Sequence, residues 1–307
     1  MKYDKLFETA KIGSLTLKNR FIMGAMGVGF AEMNGNPTDR TVAYYEERAK
    51  GGYALIITEV TRVQDTEFCT PLEPSLGSDK FIPGWKKVTD AVHAQGAYIF
   101  PQLHQPGRQY TKAILGHDTS APSPIACPVF DETPHELTTE EVWDNIHMFG
   151  DAAVRAKKAG FDGVEIHAGH GYLVQQFLSQ FSNRRFDEFG GSIENRARFA
   201  CEICKDIKKK CGEDYPVIIK LSGEEKVPGG MTISDTKIIA KYLEEAGYDA
   251  IEVTICNYAS LDWMSAPEDE PMGFNAYNAE KIKEGVHIPV AAIDRINTPE
   301  IAEDIIE

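Results

Sequence analysis

Two stretches of this sequence repeat one phrase, Lys158-Ala159-Gly160-Phe161-Asp162-Gly163-Val164-Glu165 and Glu245-Ala246-Gly247-Tyr248-Asp249-Ala250-Ile251-Glu252. Each reads as the end of a helix, a glycine suited to a left-handed cap, and the start of an apolar strand. The same unit extends along the chain. Apolar runs at 21–26, 54–60, 97–102, 163–167, 217–221, 250–254 and 289–293 read as strands. Helical patterns occupy 40–50, 84–95, 139–159, 193–210, 234–246 and 279–284, and another helix opens at Pro299. Strands alternating with helices pair in parallel through crossovers. With no linker between units, this predicts an α/β fold of the TIM type, a (β/α)8 barrel, spanning residues 1–307 as one domain. Seven strands are counted, so the barrel is expected to stop before its eighth.

The formal net charge of −15 makes nucleic acid and anionic lipid poor partners, because both are gripped through Lys and Arg. Met1–Lys5 has no apolar core behind it, and the apolar runs are too short to span a bilayer. A cytoplasmic location, a small-molecule substrate and no membrane partner are expected, with self-association left open. Six cysteines are too sparse for a disulfide scaffold. Cys201 and Cys204 fall in a helical run and are expected to line a buried face.

In barrels of this kind reactive groups gather at the carboxyl ends of the strands. The first strand ends in Gly24-Ala25-Met26-Gly27, where a flat ligand can approach backbone N–H groups. The third ends in Gln102, whose amide donates and accepts. The fourth ends in His167, with His170 and Tyr172 close behind. The fifth carries Lys220 in an otherwise apolar run, where an ammonium needs a partner. A structural salt bridge and a cation placed for chemistry both remain open there. The seventh leads into Asp294-Arg295. No carboxylate completes a metal set with His167 and His170, so no metal is expected. Residues 104–136 are rich in proline without helical period; such a loop is expected to be functional, walling a pocket with Tyr110 and Phe130.

His167-Ala-Gly-His170-Gly-Tyr172, followed by Asn183-Arg-Arg-Phe-Asp187-Glu-Phe-Gly190-Gly191-Ser192-Ile-Glu194-Asn195-Arg196-Ala-Arg198-Phe199, resembles the signature of the old yellow enzyme family of NADH:flavin oxidoreductases. Leu17-Lys-Asn-Arg20 with Met23-Gly-Ala-Met26, and Gln102-Leu-His-Gln-Pro-Gly107-Arg108, are similar to the family's first and third strands. Within the family the sequence most resembles the branch of bacterial 2,4-dienoyl-CoA, enoate and steroid enone reductases. The resemblance implies FMN as cofactor and NADH or NADPH as hydride donor, with hydride passed to an activated C=C bond of an enone or enoyl thioester. It places Ala25, Met26, Gly27, Val60 and Gln102 around the flavin, and Arg295 at its phosphate. It gives His167 and His170 the substrate's electron-withdrawing group and Tyr172 the proton. Lys220 stands where the family usually has Arg, and Gln105 where it often has His. An iron–sulfur cluster, FAD and a second nucleotide module belong to longer members and are expected only in a longer chain.

Two rival readings are an amine dehydrogenase of the trimethylamine type, and a flavin-binding fragment without turnover. The first is marked by cysteinyl attachment of the flavin, and residues 21–31 contain no cysteine.

Overall fold

The computed structural model describes residues 2–264, 266 and 268–307. At its centre lie seven parallel strands: β1 (Ile22–Met23), β2 (Leu55–Arg62), β3 (Tyr98–His104), β4 (Val164–Ala168), β5 (Val217–Ser222), β6 (Ala250–Thr254) and β7 (Val290–Ala292), paired in chain order. Helices α1 (Asp39–Lys50), α2 (Ile82–His93), α3 (Thr139–Lys158), α4 (Ile193–Cys211), α5 (Ile233–Ala246) and α6 (Ala276–Lys283) connect them, and α7 (Pro299–Ile306) follows β7. Strand order equal to chain order, all parallel and with a helix after each strand, is barrel topology. The sheet curls on itself. A Cβ built on Gly24, just past β1, would lie 3.5 Å from Glu252 on β6 and 3.7 Å from Ile293 beyond β7.

The elements arise where the sequence places them, with local reasons. Helices α1, α3 and α5 open on Thr38, Thr138 and Thr232, each in a reciprocal capping box. Helix α5 ends on Gly247 at φ 105°, a conformation that costs glycine little. β1 is shorter than expected because the backbone leaves the sheet after Met23. The segment beyond it is held instead by Glu59, whose Oε2 accepts from the N–H groups of Val28 and Gly29, both at 2.9 Å. Residues 104–136 contain a helical turn, Lys112–Leu115, and a short parallel ladder between Ser120–Ala121 and His135–Glu136.

Side chains alternate across the sheet. Ile56, Ile99, Leu103, Val164, Ile166, Ile219, Leu221, Ile251 and Val253 join the helices in the larger core, as do Cys201 and Cys204 of α4. The opposite face turns into the barrel. Its lower part is apolar, with Leu55, Ile57, Phe100, Ile218 and Ala250 packed on Ile12 and Leu17. Those last two come from an antiparallel hairpin, Ala10–Ile12 with Leu15–Leu17, that plugs the barrel floor. The hairpin was not expected from the sequence; its three-residue strands are too short to show a period.

In both copies of the repeated phrase the aspartate reaches back to the preceding strand. Asp162 accepts from Ile99 N–H at 2.9 Å, and Asp249 from Val217 N–H at 2.8 Å. In both copies the closing glutamate turns into the barrel. Glu252 pairs with Lys220 at 2.8 Å with both side chains almost wholly buried, and Glu165 accepts from the Gln102 amide at 2.7 Å. Burial acts to lower the Lys220 pKa, but the Glu252 and Glu165 charges outweigh it and raise the value. Burial, and behind it the Glu252 charge, push the Glu165 carboxyl well above the usual range. Removing the cation leaves the buried Glu252 without its counter-charge. Lys220→Met is therefore expected to cost about 3–5 kcal/mol in urea unfolding, and Lys220→Met with Glu252→Gln to recover much of it. Equal losses in the single and double variants would show that the pairing is not what holds this layer.

Several residues of the block after β4 serve the fold. Asn183 donates to the carbonyls of Phe177 and Phe189 at 2.7 and 2.8 Å, and Arg196 to that of Leu178 at 2.8 Å. Arg185 donates to the carbonyls of Pro122 and Leu137 and, at 3.0 Å, to Asp187. Burial acts to raise the Asp187 pKa, but Arg185, the Thr139 hydroxyl and the Phe189 N–H hold it down at about 2, from an ordinary 3.8. A depressed carboxyl stabilises the fold above its unfolded value and loses that contribution as pH falls through its folded value. Asp187→Asn is expected to cost about 2 kcal/mol at neutral pH and to flatten the loss of stability between about pH 4 and about pH 2. Urea unfolding in steps across that window is the measurement, and an unchanged slope would refute the assignment.

Candidate active site

The carboxyl end of β4 builds the centre of the site. His167 is the last inward-facing residue of the strand, in register with Lys220 of β5. The chain then turns through His170 and Gly171, at φ 57° and 79°. The left-handed region is uncommon for a non-glycine residue, and its use here is held by three contacts. His170 N–H donates to Ser222 Oγ at 3.2 Å, Gly171 N–H to Gln175 Oε1 at 2.7 Å, and the Gln109 amide to the His170 carbonyl at 2.8 Å. The turn delivers Tyr172 beside the imidazoles before the short helix Leu173–Leu178 begins. Ring centroids lie 5.2 Å apart for His167 and His170, and 4.9 Å apart for His167 and Tyr172.

A third imidazole joins them that the sequence reading missed. His104 lies two residues beyond Gln102, on the same face of β3, with its ring 4.4 Å from that of Tyr172 and edge-on to it. The alternation of the strand was the available signal, and the strand was expected to end at Gln102. Gln105 turns the other way and donates to Asn145 of α3 at 3.0 Å. His104 Nε2 lies 3.0 Å from Cys69 Sγ, and His170 Nε2 lies 2.9 Å from Thr254 Oγ1. His167 Nδ1 is buried and has no hydrogen-bond partner among the described residues.

Burial lowers the pKa values of His104 and His170 to about 3, with Lys220 adding to the effect on His170. Burial, then the neighbouring imidazoles and Lys220, hold His167 well below its ordinary value too. At neutral pH all three rings are uncharged, and each offers one N–H donor and one acceptor. Tyr172 is pushed well above the ordinary phenol value by burial, then by Cys69 and Tyr258, so it carries its proton. Its hydroxyl lies 2.8 Å from that of Tyr258, another residue the sequence reading missed, on the turn Tyr258–Trp263 after β6.

The remaining expected residues lie on these strands or just beyond them. Ala25, Met26 and Gly27 follow β1; Met26 is 64% exposed, and no atom stands within 4 Å of a Cβ built on Gly27. Val60 is half-buried near the end of β2, in register with Gln102. Gln102 and Lys220 are committed to Glu165 and Glu252, so the structural salt bridge left open for Lys220 is present. Arg295 is half-buried beyond β7, where Asp294 and Arg295 are both left-handed, at φ 83° and 53°. Opposite Tyr172, aromatic rings run in a chain: Tyr172 to Tyr258 at 5.5 Å, Tyr258 to Phe130 at 6.0 Å, Phe130 to Tyr110 at 6.1 Å and Tyr110 to Phe68 at 6.0 Å. Two of these, Tyr110 and Phe130, come from the 104–136 segment.

Comparison with known proteins agrees with this geometry. Residues 5–307 match the family described as NADH:flavin oxidoreductase / NADH oxidase. The chain is 43% identical over 308 residues to an NADH oxidase of Thermoanaerobacter brockii, covering 99% of this chain and 47% of that protein. It is 40% identical over 327 residues to a cinnamate reductase of Clostridium sporogenes, covering 99% and 49%. A solved 2-naphthoyl-CoA reductase in complex with 2-naphthoyl-CoA superposes with a TM-score of 0.94 at 32% identity, covering 99% of this chain and 48% of that one. The chain thus spans about half the length of these relatives. On a match that runs through β1 to α7 and includes every residue of the site, the chain belongs to the NADH:flavin oxidoreductase / NADH oxidase family.

Proposed function

We propose that this chain is the FMN-binding catalytic barrel of an ene-reductase, which reduces the activated C=C bond of an enone or enoyl thioester at the expense of NADH or NADPH. The observation that carries the reading is the meeting of neutral imidazoles and a protonated phenol at the mouth of the barrel. The mouth also fits a flat cofactor. Gly27 and the exposed Met26 leave open space at the end of β1, and buried His167 Nδ1 lacks a partner that a ligand can supply. Ala25, Met26, Gly27, Val60, Gln102 and Lys220 would hold the ring system, and Arg295 the phosphate. FMN, when bound, supplies the site that accepts hydride from the nicotinamide and passes it on.

The chain's own groups account for the remaining chemistry. His167 and His170 donate hydrogen bonds to the substrate's carbonyl oxygen and draw electron density away from the β-carbon. A neutral imidazole does this without placing a second cation near Lys220. Tyr172 supplies the proton to the α-carbon, and the Tyr258 hydroxyl, 2.8 Å away, holds the phenol in position. Lys220 keeps a positive charge inside the barrel, and its partner Glu252 balances it. The ring chain from Tyr258 to Phe68 favours a substrate with an aryl or comparably large apolar group.

Positioned general acids contribute roughly 10²–10⁴-fold. Tyr172→Phe is expected to slow enone-dependent NAD(P)H consumption within that range, while bleaching of flavin absorbance by NAD(P)H stays near wild type. Stopped-flow measurement of both is the test, and equal slowing of the two would remove Tyr172 from the proton-donor role. Replacing Tyr110 and Phe130 by Ala is expected to lower kcat/KM about tenfold for an aryl-substituted enoate or its thioester, the loss of about 1.4 kcal/mol, with little effect on 2-cyclohexenone. Parallel losses on both substrates would mean that the wall supports the fold and does not select the substrate.

A further inference from the structure

Beside Tyr172, two distant pieces of chain bring together three side chains that the reduction chemistry does not use. Cys69 and Glu73 lie on the loop after β2, and His104 ends β3. Cys69 Sγ is 3.0 Å from His104 Nε2, and one ligating atom from each of the three residues lies within 4.8 Å of the other two. Glu73 and His104 are 1% and 0% exposed. Glu73 Oε1 and His104 Nδ1 have no hydrogen-bond partner among the described residues. Since His104 faces Cys69 with Nε2, the orphan that a ligand held here would satisfy is Glu73 Oε1; an unsatisfied carboxyl oxygen at such depth, next to a thiol and an imidazole nitrogen, points to a ligand.

The chemistry of the set selects the ligand. A thiol, an imidazole and a carboxylate are the donors of zinc-type sites, and magnesium or calcium would want oxygen alone. Zinc-type bond lengths place tetrahedral ligand atoms roughly 3.3–3.6 Å apart. The Cys69–His104 pair, at 3.0 Å, would open by about half an ångström to meet this, and the wider pairs, within 4.8 Å, would close by up to about 1.5 Å. The loop is anchored independently. The Arg62 guanidinium donates to the Glu73 carbonyl at 2.6 and 3.0 Å and to the carbonyls of Asp65 and Pro71 at 3.2 and 3.3 Å, while Cys69 N–H donates to Glu73 Oε2 at 2.7 Å. The Arg62 charge acts on Glu73, and the thiolate and carboxylate together offset a dication beside it.

We propose that Cys69, Glu73 and His104 form a binding site for a thiophilic divalent cation, with an open fourth position toward Tyr172. Binding forms bonds from the metal to sulfur, nitrogen and oxygen and releases the thiol and carboxyl protons to solvent; nothing is oxidised or reduced. Three protein ligands and an open position are the arrangement of catalytic rather than structural sites. The cation would stand against the proton donor, since the Tyr172 ring packs edge-on to that of His104 at 4.4 Å.

The test is a cobalt(II) titration of the full chain under a non-chelating reductant, followed by absorbance. One equivalent is expected to produce a near-ultraviolet thiolate-to-cobalt band with visible bands of four-coordinate intensity, all removed by added zinc. Cys69→Ser is expected to abolish the near-ultraviolet band. His104→Ala is expected to weaken binding by more than the roughly 10–100-fold that loss of a supporting partner costs. Cys201→Ser, on a buried helix face, should change neither. A second measurement avoids dependence on variant folding: saturating zinc should protect Cys69 of the wild-type protein from alkylation, read by peptide mass. Absence of a thiolate band in wild type, its survival in Cys69→Ser, or unchanged alkylation of Cys69 under zinc would each overturn the proposal.

Discussion

An ammonium buried inside a barrel constrains everything around it. Lys220 sits in the middle of β5 at 3% exposure and cannot stay charged there alone. Its partner Glu252 comes from β6, and Glu165 of β4, also close in charge, is held in turn by Gln102 of β3. Four consecutive strands are thereby tied through inward-facing side chains. Slipping any one strand by a single residue would carry its charged group to the helix-packed face and bring an aliphatic side chain inward. The register that satisfies Lys220 also sets the next inward residues, His104, His167, Ser222 and Thr254, at the rim. The placement of the candidate chemistry is in this sense a consequence of how the charge below it is balanced.

The repeated phrase shows how much of this was legible in the sequence. Gly160 and Gly247 marked helix-to-strand transitions, and periodicity supplied the strands and helices between. The Asp and Glu of the same phrase carried further information that periodicity does not show. Asp162 and Asp249 each accept an N–H near the start of the neighbouring strand, and Glu165 and Glu252 enter the barrel around Lys220. A carboxylate in an apolar strand is the counterpart of an ammonium in one, and residue type and strand position alone suffice to match the three. His167, His170 and Tyr172 were legible because they are close in sequence. Cys69 and His104 are 35 residues apart, and Tyr172 and Tyr258 are 86 apart. Their meeting depends on the curl of the sheet, which no local pattern encodes. The floor hairpin escaped for the opposite reason, being too short to show a pattern.

Burial affects every titratable group at the mouth in one direction, toward the uncharged form. The imidazoles of His104 and His170 are held near 3, Glu73 is raised to about 8, and the Cys69 thiol and Tyr172 phenol are pushed well up, with burial the first cause in each case. The mouth therefore presents donors and transferable protons with little fixed charge, above a Lys220–Glu252 pair that nearly cancels itself. Such a rim can interact with a polarised carbonyl while keeping a neutral, apolar substrate in favourable surroundings. The same suppression of charge means that Cys69 and Glu73 must lose their protons before they can ligate, so cation binding there becomes stronger as pH rises. A dication entering there would restore the charged forms of the thiol and the carboxyl and draw them from the hydrogen-bonding network around Tyr172. Proton delivery and cation binding thus meet at one place, since the ring that carries the proton packs on an imidazole that would take the metal.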